Sequence, residues 1–201
     1  TKVCNPPVSG TTFLPDGSGV SYQSSVPVDC FPFGSTITSA SQITSVCINM
    51  EHSYLGDLEI RLVSPTGQFI ILKAYPGGGG TYLGCPLDPF TGDATAGPGT
   101  GRDYCFTPTA TTLLVNGATS PCGTPSLASI NAGNYMPVNP FTNLIGSGLN
   151  GNWSLVITDN LGIDNGYIFN WSINFDSSLI PSDYQFTPVI AGSNWTPNPD
   201  I

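Results

Sequence analysis

The sequence predicts an all-β sandwich, and three observations carry that prediction. Charged residues make up only 8% of the chain, far below the ~25% usual in globular domains. Gly and Pro are abundant, at 24 and 19 residues, which suits short strands joined by tight turns. Apolar residues alternate with period two in several separate runs, and no segment sustains the 3.6-residue period of an amphipathic helix. Eight Tyr, ten Phe and three Trp supply bulk for a core and argue against disorder.

The runs appear in order along the chain. Residues 1–40 are rich in Pro, Gly, Ser and Thr and alternate weakly, so 1–42 reads as an N-terminal extension with edge strands. Val46, Ile48 and Met50 then alternate with Cys47 and Asn49, the mark of a half-buried strand. Leu58, Ile60 and Leu62 face one way, with Asp57, Glu59 and Arg61 opposite. Ser64-Pro65-Thr66-Gly67 is a turn signal, because Pro presets the second turn position. The strand returning from Gln68 to Lys73 completes a hairpin over about residues 57–73.

Residues 75–101 carry four consecutive glycines, Gly77 to Gly80, and read as a long flexible loop. The glycine run lacks the following Lys-Ser/Thr of a phosphate-binding loop. Residues 117–151 read as loop-rich. Trp153, Leu155 and Ile157 alternate again, and Asn165-Gly166 is a strong turn dipeptide. Tyr167, Phe169, Trp171, Ile173 and Phe175 are expected on one face of the last strand, each burying roughly 1.5–3 kcal/mol of transfer free energy. The domain is therefore expected over 43–175. Pro181, Pro188, Pro197 and Pro199 punctuate 176–201, which reads as a C-terminal extension or linker.

The net charge is −9, with only four basic residues, Lys2, Arg61, Lys73 and Arg102. Four scattered cations build no basic patch, which argues against nucleic acid and anionic membranes as partners. Nor is membrane insertion expected, because no apolar run is long enough to span. Cys4, Cys30, Cys47, Cys85, Cys105 and Cys122 form no C-x-x-C pair. The even count and wide spacing favour disulfides and an oxidising compartment, with fifteen pairings open. The chain begins at Thr1 rather than Met and reads as a mature chain or a piece of a larger secreted or cell-surface protein.

Three blocks resemble a known family. The first, from Glu51-His52 through Gly56-Asp57-Leu58-Glu59-Ile60-Arg61-Leu62 to Ser64-Pro65-Thr66-Gly67, resembles the H-x3-G-D-L-x-I-x-L-x-S-P-x-G pattern of proprotein convertase P-domains. Asn150-Gly151-Asn152-Trp153-Ser154-Leu155-Val156-Ile157-Thr158-Asp159 is similar to its second block. Asp164-Asn165-Gly166-Tyr167 through Trp171-Ser172-Ile173-Asn174-Phe175 is similar to its last strand. The resemblance implies a jelly-roll-like β-sandwich of about eight strands. In convertases the domain packs beside a subtilisin-like catalytic domain and stabilises it. In bacteria similar domains are appended to secreted proteases and large cell-surface proteins. One departure is that Cys105-Phe106-Thr107-Pro108-Thr109 carries no acid where bacterial members have an F-D-D-like run.

Candidate functional residues follow from chemistry. Eleven Asp stand against two Glu, and Asp is a short, hard oxygen ligand suited to calcium. Asp57, Asp159 and Asp164, at strand ends or in a loop, are the candidate metal ligands; the competing role for Asp57 and Asp159 is turn capping. Tyr54, Tyr75, Tyr82, Tyr104 and Tyr135 fall in or beside loops. Of these, Tyr75, Tyr82 and Tyr104 are the candidate ligand surface, suited to stacking on glycans. His52 is the single histidine, no G-x-S-x-G elbow occurs, and the two Glu, Glu51 and Glu59, lie near one strand, so no catalytic site is expected. The expected role is a non-catalytic accessory or interaction module of a secreted or cell-surface protein, serving domain stabilisation, adhesion or assembly. Its expected partners are other domains of a parent chain or cell-surface proteins. The alternatives are a calcium-assisted carbohydrate-binding module and a structural subunit of a surface assembly.

Overall fold

The computed structural model describes residues 6–14, 16–17, 19–87 and 97–179. The described residues contain strands, short 3-10 turns and no α-helix. Eleven strands run in chain order: β1 (Val8–Leu14), β2 (Val20–Val28), β3 (Ile43–His52), β4 (Leu58–Val63), β5 (Phe69–Lys73), β6 (Arg102–Phe106), β7 (Thr119–Cys122), β8 (Leu127–Ile130), β9 (Gly133–Tyr135), β10 (Gly151–Asp159) and β11 (Gly166–Phe175). One sheet has the order β1-β11-β3-β6-β9, the second β2-β10-β4-β5, and β7-β8 form a separate hairpin. The inner faces of the two large sheets share one apolar core, so the chain is an all-β sandwich.

The alternation read from the sequence sets which faces are buried. Val46, Ile48 and Met50 of β3, Leu58, Ile60 and Leu62 of β4, and Trp153, Leu155 and Ile157 of β10 are all core residues. The turn at Ser64 to Gln68 closes the β4–β5 hairpin, with Ser64 N–H on Gln68 O at 2.8 Å. Two tryptophans fill the centre, one from each sheet, and both are fully buried. Trp153 donates its indole N–H to Leu149 O at 3.1 Å. Trp171 of β11 donates across the sandwich to the Ser24 hydroxyl of β2. Phe175 adds edge contacts to Trp153 and Phe31.

Three expectations change. Tyr167, Phe169, Trp171, Ile173 and Phe175 do not share a buried face. Ile168, Trp171 and Ile173 are buried, while Tyr167 and Phe169 are not. The reason is a register shift between Ile168 and Asn170: a bulge adds one residue and reverses the period-two alternation.

The stretch before residue 43 supplies edge strands, as its weak alternation predicts. β1 and β2 take one edge of each sheet, and Leu14, Val26 and Val28 lie in the same core as the later strands. Residues 177–179 form a 3-10 turn, and 180–201 fall outside the described residues.

The glycine-bearing segment packs on the sandwich rather than standing off it. Tyr82 and Leu83 are buried, and Leu83 exchanges backbone hydrogen bonds with His52 at 2.9 Å each. Residues 117–151 hold β7, β8, β9 and a 3-10 turn over Phe141–Leu144. Period-two reasoning misses them because these strands are three or four residues long.

Disulfides are present, as the cysteine count predicts. Cys47–Cys105 joins directly opposed residues of β3 and β6. Cys85–Cys122 ties the loop before β6 to the β7–β8 hairpin. Cys30 is disulfide-bonded as well, and Cys4 lies outside the described residues. No helix among the described residues is long and apolar enough to cross a membrane.

Candidate functional site

His52, Asp57, Asp159 and Asp164 converge at one end of the sandwich. β3 ends there at His52, a 3-10 turn covers Leu55–Asp57, β10 ends at Asp159 and β11 begins at Gly166. His52 is opposite Gly166, and Asp159 is opposite Leu58.

His52 and Asp159 are fully buried, and His52 Nε2 lies 3.3 Å from Asp159 Oδ2. His52 Nδ1 is 3.1 Å from the Tyr54 N–H. In the neutral ring, Nδ1 accepts that bond and Nε2–H donates to the carboxylate. Asp159 Oδ1 accepts the Leu161 N–H at 3.3 Å, a local turn contact of the kind expected for Asp. With no exposed surface, His52 joins the two sheets from within.

Asp57 differs. It is only 2% exposed, yet no hydrogen bond reaches its carboxylate among the described residues. Burial pushes its pKa up, the Asp159 and Asp164 charges push the same way, and His52 and Lys73 oppose. The competing capping role is not seen for the Asp57 side chain among the described residues. Its backbone carbonyl does take part, accepting from the Asn160 amide side chain at 2.8 Å and from the Asn160 N–H at 3.1 Å. Asp164 is reached by the Ser53 hydroxyl at 3.3 Å. Among the described residues, no group of three or more His, Cys, Asp or Glu side chains is placed to hold a metal ion.

Two further buried charges sit nearby. Lys73 of β5 is 1% exposed and donates from Nζ to Leu58 O at 2.6 Å. Burial lowers its pKa to about 8, against the pull of Asp57 and Glu59. Glu51 of β3 is covered by the segment around Gly84, Gly99 and Thr100: a Cβ on Gly84 would lie 2.6 Å from both Glu51 Cβ and Thr100 O. Burial raises Glu51 to about 7, against the Gly99 N–H bond and His52. Its Oε2 is buried without a hydrogen-bond partner.

A cavity of about 190 Å³ opens over Asp57. Tyr54 and Tyr75 line it, with Pro76 and Leu161 on its apolar side and Gly56, Gly77 and Gly79 completing it. The glycines explain the run noted in the sequence. A Cβ on Gly56 would lie 2.5 Å from the Tyr54 ring, and one on Gly80 3.3 Å from it. Gly78, at φ +96, packs on Leu55, where a Cβ would meet the side chain at 2.6 Å. Gly56 N–H donates to Gly79 O at 3.0 Å and Leu55 N–H to Thr81 O at 2.8 Å, so the run is fitted against the 3-10 turn.

Of the expected ligand tyrosines, only Tyr75 lines the cavity, at 39% exposure. Tyr82 and Tyr104 are corrected: both are 1% exposed and belong to the interior. The Tyr104 hydroxyl accepts the Gly84 N–H at 2.6 Å and donates to Ile130 O at 3.1 Å. Tyr135 is buried too. Sequence reasoning gave no cavity role to Leu161, Pro76 or Gly56, since only the fold brings their loops together.

A family model described as Proprotein convertase P-domain matches residues 41–83. Over that stretch the chain is similar to a P-domain. The match is well under half of the chain and takes in β3, β4 and β5 with His52, Asp57 and Lys73. The P-domain-like stretch thus holds one side of the buried cluster, and β10 and the β10–β11 loop supply the other. No curated protein matches the chain.

Proposed function

We propose that this chain is a non-catalytic accessory and interaction module of a larger secreted or cell-surface protein. The observation that carries the reading is the P-domain match over 41–83, in which the only histidine is spent on a fully buried link between the two sheets. P-domains act as helper domains beside a catalytic partner, and a sandwich of this kind supplies rigid loops at one end for docking. The disulfides favour an oxidising compartment outside the cytosol.

The test uses the full-length product of the gene. Removing the segment for residues 6–179 in frame is expected to lower the melting temperature of what remains or to abolish its secretion. An unchanged melting temperature together with unchanged secretion would overturn the reading.

A further inference from the structure

We propose that the cavity over Asp57 receives a lysine side chain from a protein segment outside this chain. The inference deepens the accessory-module reading by naming its docking site, and it rests on that reading.

The first argument is the carboxylate. Asp57 is only 2% exposed and lines the cavity, and its carboxylate makes no hydrogen bond or ion pair among the described residues. Burying an ionised group without a partner is costly. Asp159 and Asp164 add negative charge around it, which His52 and Lys73 oppose without reaching the carboxylate. A ligand that brings a cation relieves both effects.

The second argument is the wall chemistry. Two tyrosines line the cavity, and aromatic faces attract ammonium groups. Pro76 and Leu161 offer apolar surface to a methylene stem that ends in a charge. A lysine carries both parts. Calcium fits less well, because it takes six to eight oxygen ligands and no group of three ligating side chains is gathered here among the described residues.

The third argument concerns the source of the cation. Lys73 donates to Leu58 O, Arg61 pairs with Glu59 and covers Phe69, and Arg102 bonds Ser129 and Ile130. Lys2 lies outside the described residues. The described part of this acidic chain therefore has no spare cation to fill the site, and charge complementarity points to another polypeptide.

The experiment is amide NMR on the whole chain, titrated with Nα-acetyl-lysine N-methylamide. The expected result is saturable shifts of the Gly56, Gly77 and Gly79 amides with a dissociation constant on the order of 1 mM. The Nε-acetylated probe, which lacks the charge, should leave those amides in place. Asp57→Asn should weaken binding at least tenfold. Tyr75→Ala, at a half-exposed position, should weaken it severalfold without loss of fold.

Equal shifts from the acetylated probe would overturn the inference. So would unchanged affinity in Tyr75→Ala, or saturable shifts of the same amides by calcium chloride but not by the lysine probe. If the probe fails while removal of residues 6–179 still destabilises the full-length product, this inference falls and the accessory reading stands.

Discussion

His52 Nε2 and Asp159 Oδ2 meet at 3.3 Å with no exposed surface on either residue. They belong to different sheets, at the ends of β3 and β10. The contact therefore holds the two layers together at the end where the candidate site lies. It also turns the single histidine, a residue type often suspected of catalysis, into a structural part.

Asp159→Ala should remove this link and leave His52 Nε2 buried without a partner. The expected loss is about 2–4 kcal/mol, from a broken buried hydrogen bond and an orphaned polar group. Urea unfolding at pH 7 measures it. A loss below about 0.5 kcal/mol, the range of ordinary surface substitutions, would mean that the contact does not join the sheets.

Stability should pass through a trough near neutral pH. Glu51 has a folded pKa of about 7 against 4.5, so the folded state binds the extra proton between those values. Its favourable contribution is full below about pH 4.5 and is lost as pH rises through 7, on the order of 3 kcal/mol. Lys73 has a folded pKa of about 8 against 10.5, so the unfolded state binds more protons in that window. Stability then rises with pH from about 8 to 10.5. Unfolding free energies across pH 4 to 10 trace the curve, and Glu51→Gln should flatten its acidic limb. A maximum at pH 7, or an unaltered acidic limb in Glu51→Gln, would contradict the assignment.

Asp57→Asn should leave the free chain as stable as before or slightly more stable. The raised pKa of Asp57 means that its ionised form disfavours folding, and no hydrogen bond to its carboxylate is lost among the described residues. Differential scanning calorimetry decides the sign. A melting temperature lower by several degrees would make Asp57 a structural residue instead of a binding one.

Cys85→Ser combined with Cys122→Ser should cost about 3–4 kcal/mol, from the loop entropy regained over 37 residues of separation. Chemical denaturation of the double variant under non-reducing conditions checks this. An unchanged midpoint would show that the segment before β6 is held by its packing and backbone bonds alone.

A glycan-array screen in calcium and again in chelator separates the carbohydrate alternative from protein docking. The expected result is no calcium-dependent glycan signal. A signal abolished by chelator would promote Asp57, Asp159 and Asp164 to calcium-linked roles.

The sandwich was legible wherever strands exceed five residues and alternate without interruption. β3, β4 and β10 follow their period-two patterns because one face of each is covered by the opposite sheet. β11 reads as equally regular, yet one bulge at Ile168 to Asn170 reverses which residues are inside. A bulge leaves no compositional trace in such a run, so alternation alone puts Tyr167 and Phe169 on the wrong face. The short strands β7, β8 and β9 are held by neighbours distant in sequence, including Arg102, whose guanidinium reaches Ser120, Ser129 and Ile130.

The site was legible in part. The Gly56-Asp57 pair and Tyr75 stood out as residues. Their meeting with Leu161 did not, because it depends on how the β10–β11 loop folds over the 3-10 turn. Tyr82 and Tyr104 are interior although they fall in or beside loops, because loop position does not imply exposure. The segment that carries Tyr82 is bonded at both ends of its packing, to His52 through Leu83 and to β8 through Ala128 and Ile130.

The most direct measurement is hydrogen–deuterium exchange on the isolated chain and on the full-length product of its gene. A docking module is predicted to show slower exchange in the full-length product at Gly77 to Gly80 and around Leu161, with β3, β4 and β10 unchanged. Identical exchange at every one of these positions would contradict docking through the Asp57 end of the sandwich.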